Sequence, residues 1–85
     1  MGKYVIAREL GGKSIVSTDG KLYGRVADLV IDEKTGKIEK IIIDPNPGVQ
    51  IPDTHMTEEG YAWIPFDAVI SVSDYMIVDH RKLWV

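Results

Sequence analysis

With 85 residues, a net charge of −3 and no cysteine, the chain is long enough for one small domain and has no means of making disulfides, thiolate metal ligands or a thiol nucleophile. A domain of this size buries only about 60% of the surface its unfolded chain exposes, so its core is thin and association with a second copy would add burial. Its 10 basic and 13 acidic residues are interspersed, without the basic stripe that phosphate contacts require, so direct nucleic-acid binding is not expected.

The chain opens on Met1-Gly2-Lys3-Tyr4-Val5-Ile6-Ala7-Arg8, followed by charge and Gly11-Gly12 rather than by the apolar run of a secretory signal. No later run approaches the roughly 18 apolar residues of a spanning helix, so a cytoplasmic protein without direct membrane insertion is expected. A first strand is predicted over Ser14 to Ser17, with Ile15 and Val16 on opposite faces. Thr18-Asp19-Gly20-Lys21 then reads as a turn in which glycine supplies the positive φ.

The second strand runs from about Leu22 to Asp32 and needs a bend, for which Gly24 is well placed. Both of its faces carry apolar residues, so either a bulge switches the alternation midway or the strand is covered on both sides. After the Glu33-Lys34-Thr35-Gly36 turn, a third strand from Lys37 to Asp44 contains the continuous β-branched run Ile41-Ile42-Ile43. A small barrel covers only one face of such a strand. A homodimer seam is therefore expected at these isoleucines, the alternative being that residues 45–60 fold over them.

Pro45-Asn46-Pro47-Gly48 ends the third strand. Val49-Gln50-Ile51 reads as a short edge strand. Thr57-Glu58-Glu59-Gly60 reads as a turn into Tyr61-Ala62-Trp63-Ile64-Pro65, which sets Tyr61 and Trp63 on one face. Ser71 to Asp74 forms a strand end and turn, and Tyr75 to Val78 is the last strand. The tail ends in Leu83-Trp84-Val85, apolar enough to dock on its own barrel or on a neighbour.

Candidate chemistry is sparse. His55 and His80, with Asp53 and Asp79 nearby in sequence, lack the local spacing of a zinc site and read as solvent-exposed. The acids Asp28, Asp32 and Asp44 sit at strand positions, and Ser14, Ser17, Ser71 and Ser73 lie at strand ends without a Gly-x-Ser-x-Gly elbow. Gly11-Gly12-Lys13-Ser14 precedes a strand rather than a helix and lacks the rest of a phosphate-binding loop. Tyr61 and Trp63 follow Glu58 and Glu59, which suits packing better than stacking on RNA. No catalytic residue, cofactor or metal ligand is expected. The candidate dimer or partner interface is Ile41, Ile42, Ile43, Tyr61, Trp63, Leu83, Trp84 and Val85.

The Gly24–Asp32 strand, the Thr35-Gly36 turn, the triple isoleucine and Ile64-Pro65-Phe66-Asp67 together resemble the PRC-barrel domain. This is the small all-β module of the photosynthetic reaction-centre H subunit and of the ribosome-maturation protein RimM, also common as stand-alone copies in archaea. The resemblance implies a single antiparallel β-barrel over residues 1–85, with one short helical turn, forming a homodimer or pairing with a paralogous PRC-barrel protein. Glu9-Leu10-Gly11-Gly12-Lys13 corresponds to the family's lead-in. Asp28 and Asp32 become turn-making and edge-polarising acids, with Asp32 bonding local backbone, and Asp67 is placed to cap the helical turn. The resemblance further implies a non-enzymatic adaptor of archaeal cell division that binds SepF, recruited to the division site through that partner. The alternative it offers is a RimM-like factor of ribosome maturation or RNA metabolism that binds a ribosomal protein.

Overall fold

A computed structural model describes residues 10–51 and 55–83. Strands β1 (Ser14–Ser17), β2 (Leu22–Ile31), β3 (Ile38–Pro45), β4 (Ala62–Pro65), β5 (Val69–Val72) and β6 (Tyr75–Val78) are joined by turns and one 3-10 turn at Phe66–Ala68. A single helical turn, α1 (His80–Leu83), follows. The strands form one sheet in the order β4-β3-β2-β1-β6-β5. Pairing is antiparallel throughout except between β1 and β6, which run parallel with Ser14 beside Tyr75 and Ser17 beside Val78.

β4 and β5 occupy opposite edges of the sheet, yet only Phe66–Ala68 separates them in the chain. A three-residue link cannot span a flat six-stranded sheet, so the sheet rolls until its edges meet. The 3-10 turn bridges the resulting seam. Asp79 N–H donates to the Ala68 carbonyl at 2.7 Å, and Lys82 Nζ donates to the Asp67 carbonyl at 3.1 Å, laying α1 over it. The turn is entered from Pro65 without a side-chain cap, so Asp67 does not cap it. Its main-chain oxygen is used instead.

Inside lie Leu10, Ile15, Tyr23, Val26, Ile41, Ile43, Ala62, Ile64, Ala68, Val69, Met76, Val78 and Leu83. β2 reaches this core by breaking its own alternation. Register slips opposite Ile15/Val16 insert one extra residue at Tyr23, and slips against β3 insert another at Ala27. Each bulge flips the parity once, so Tyr23, Val26 and Leu29, three positions apart, all turn inward. The apolar residues on both parities of this strand are thus the signature of bulges.

The turns follow the residues that make them. Gly20 and Gly36 take φ of 85° and 73°. Asp32 Oδ1 accepts the N–H groups of Lys34 at 2.8 Å and Thr35 at 3.3 Å, holding the β2–β3 hairpin. Val49-Gln50-Ile51 is not a strand. Val49 and Ile51 instead pack their side chains on the core from irregular backbone, and the bridge on this side of β4 is Met56 to Ala62. No helix among the described residues is long and apolar enough to cross a membrane.

Candidate functional site

Three places on the barrel bring informative side chains together. The first is polar and lies where the β1–β2 turn meets α1. Ser17, 3% exposed, ends β1 with its hydroxyl donating to Asp19 Oδ1. Asp19 Oδ2 lies 3.4 Å from His80 Nδ1, and the Tyr23 hydroxyl is also 3.4 Å from that nitrogen. His80 is fixed from its own backbone, whose N–H donates to Thr18 Oγ1 at 3.1 Å. Asp19, Lys21, Tyr23, Gln50 and His80 line a cavity of about 340 Å³. Neither histidine is merely solvent-exposed, since His80 is half-buried here and His55 is half-buried elsewhere.

The Ser17 hydroxyl holds the Asp19 carboxyl below its ordinary range, helped by His80 and Lys21 and opposed by desolvation. A nucleophilic serine would need its proton directed at a base, with a third group orienting that base. Here the carboxylate stands between serine and histidine and accepts the hydrogen bond that the hydroxyl donates. The cluster's evident work is to tie the C-terminal helical turn to the first hairpin.

The second place is the outer face of β3 and β4. Ile41 and Ile43 point inward and are fully buried against Ile64 and Ala62, so these two belong to the barrel's own core and not to an outer seam. Ile42 alone of the three faces outward, with Trp63 directly opposite on β4. His55, from the β3–β4 connection, stacks on Trp63 with ring centroids 4.0 Å apart at 18° and donates its Nδ1–H to the Trp63 carbonyl at 2.9 Å. Lys40 Nζ sits 4.5 Å from the ring centroid. Tyr61, exposed and two positions from Trp63, extends this face. The loop thus covers part of it, and an open apolar margin remains.

The third place is the outer face of β2, β1 and β6, which a sequence reading does not reveal. Leu22, Val16 and Ile77 stand side by side across the three strands, because Val16 pairs with Leu22 on one flank and Ile77 on the other. Leu22 is 48% exposed. One step along the strands, Arg25, Ser14 and Tyr75 form a second outward row. Alternation sets Ile15 and Val16 on opposite faces, and it is Val16 that the fold turns outward. What lines up beside it depends on the parallel β1–β6 register and on the bulge at Tyr23.

Leu83 is buried in its own barrel, 3% exposed, while Trp84 and Val85 lie outside the described residues, as does Asp53. Among the described residues no three histidine or acidic side chains gather as a metal site.

Comparison with known proteins adds two findings. Residues 3–85 match the family model described as PRC-barrel domain. An uncharacterized protein of Methanocaldococcus jannaschii is 32% identical over 78 residues, covering 91% of this chain and 83% of that protein.

Proposed function

The chain belongs to the PRC-barrel domain family, and on that footing we propose that it is a non-catalytic protein-interaction module that works as an adaptor. An adaptor must hold two things at once. The observation that carries the reading is the presence of two separate outward apolar faces on one barrel. Ile42, Trp63 and Tyr61 mark one on β3–β4, and Leu22, Val16 and Ile77 mark the other on β2–β1–β6. The first has the aromatic content that favours protein contacts, with Tyr61 exposed at its margin.

The setting proposed is cell division of the kind served by the stand-alone archaeal members that the sequence resembles. In that setting the β3–β4 face takes a SepF-like protein or a paralogous PRC-barrel protein. The adaptor is cytoplasmic and reaches the division site through that partner.

The test is a tagged pull-down from the native organism, run alongside Tyr61→Ala and Trp63→Ala chains whose folding is checked by circular dichroism. Division proteins captured by the unaltered chain and lost from both variants are the expected result. Capture of ribosomal proteins would move the assignment to ribosome maturation, and capture of nothing beyond the bait would sink the adaptor reading.

A further inference from the structure

We propose that the β3–β4 face recognises an acidic segment of its partner, with Lys40 and His55 as cationic contacts on either side of Trp63, and that His55 strengthens this recognition as pH falls. The proposal rests on the adaptor reading and names the chemistry that one of its two faces selects.

Trp63 is held on both faces of its ring. His55 stacks at 4.0 Å and 18°, which fills one face, and Lys40 Nζ lies 4.5 Å from the centroid over the other. The two side chains come from opposite flanks of β4. Lys40 stands on β3 opposite Pro65, whereas His55 precedes Met56, which bridges Ala62 from the other side. An ammonium over an indole keeps its charge, because the ring quadrupole attracts the cation without taking up a proton. Lys40 is exposed and has no ion-pair partner among the described residues.

His55 can gain a second charge for this site without rearrangement. Its Nδ1 meets the Trp63 carbonyl at 2.9 Å, and a carbonyl only accepts, so the neutral ring carries its proton on Nδ1. Protonation therefore falls on Nε2. The stack and the Nδ1–H bond both survive it, and only the charge changes. Histidine makes this change between about pH 5 and 8.

The charged groups around His55 are few. Lys40 lies across the indole, and β4 itself contributes none. On the same connection Glu58 and Glu59 are exposed on the turn before β4, and neither forms an ion pair with His55. Farther across the sheet, Asp28 lies opposite Ile42 with its Oδ1 accepting the Leu29 N–H at 2.8 Å, and Asp44 stands opposite Arg25. Positive charge thus gathers beside Trp63, next to the apolar surface of Ile42. A partner segment that lays an apolar side chain on Ile42 and turns a carboxylate toward Trp63 satisfies both.

An NMR titration of the isotope-labelled chain with an acidic peptide of alternating glutamate and leucine tests the proposal. Amide shifts should centre on Lys40, Ile42 and Trp63. The peptide should bind about threefold more tightly near pH 5.5 than near pH 7.5, and its glutamine-for-glutamate counterpart should not bind. His55→Gln, with folding checked by circular dichroism, should abolish the pH difference, and Lys40→Gln should weaken binding at both pH values. His80→Gln, beside the β1–β2 turn, should leave both values unchanged. Shifts centred elsewhere, absence of binding, or a pH difference that persists in His55→Gln would overturn the proposal. The pull-down separates this result from the adaptor reading. Division proteins lost from Tyr61→Ala and Trp63→Ala but retained by Lys40→Gln would leave the adaptor standing and remove its acidic partner.

Discussion

Gly24 and Asp44 pass so closely across the β2–β3 ladder that no side chain fits between them. A Cβ built on Gly24 would run into the Asp44 carbonyl oxygen and lie 2.9 Å from Pro45 Cα. The glycine also holds φ at 150°, a conformation side chains rarely adopt. Gly24→Ala therefore meets main chain rather than a movable side chain. It should cost about 3 kcal/mol in urea unfolding. A loss under about 0.5 kcal/mol would mean that the two strands can separate freely at this point.

The isoleucine run offers a graded test of which way each residue faces. Ile41→Ala and Ile43→Ala each empty a fully buried site and should destabilise by about 3 kcal/mol. Ile42→Ala, on the half-buried outer face, should cost about 1 kcal/mol or less. Equal losses at all three positions would mean that the outer face is as enclosed as the core.

Leu83 distinguishes a tail that serves its own barrel from one that serves a partner. Leu83→Ala should lower stability by about 2–3 kcal/mol and leave the sedimenting mass unchanged. A change in mass with unaltered melting would place this residue at an interface between chains.

Asp19 gives the fold an acid-sensitive element. Its folded pKa lies below the ordinary 3.8, chiefly because Ser17 donates to it, so the charged form is favoured in the folded state. The stabilisation is fully present above the unfolded value and is lost as pH falls through the lower, folded one. The unfolding midpoint of the unaltered chain should fall more steeply below about pH 4 than that of Asp19→Asn. Parallel curves for the two would show that the Ser17–Asp19 bond does not favour the ionised form.

Much of this architecture can be read from the residues, and where reading stops has a physical cause. β1 and β6 start and end where alternation and turn residues put them, and Asp32 makes the local bonds its place beside Thr35-Gly36 suggests. Gly24 likewise marks the bend. Bulges are harder, because the inserted residues Tyr23 and Ala27 have no compositional mark, and only the observed register shows which parity turns inward. Strand order is harder again. Nothing local in Ser14–Ser17 says that its second neighbour is Tyr75–Val78, and the Leu22–Val16–Ile77 row exists only through that pairing. Asp19 and His80 meet for the same reason, one beside β1 and the other beside β6. The edge strand expected at Val49–Ile51 failed because those side chains reach the core without any ladder bonds.

The parallel pairing of β1 with β6 also bears on how the chain finds its fold. β1, β2 and β3 are sequential neighbours, and short loops close them cheaply. The β1–β6 ladder joins segments about 60 residues apart, as the Lys13–Ser73 bond across it illustrates. Long loops close late and slowly, so the three-stranded meander should form ahead of barrel closure. Substitutions along β6 would then mainly quicken unfolding, while those in the β2–β3 hairpin would slow folding itself.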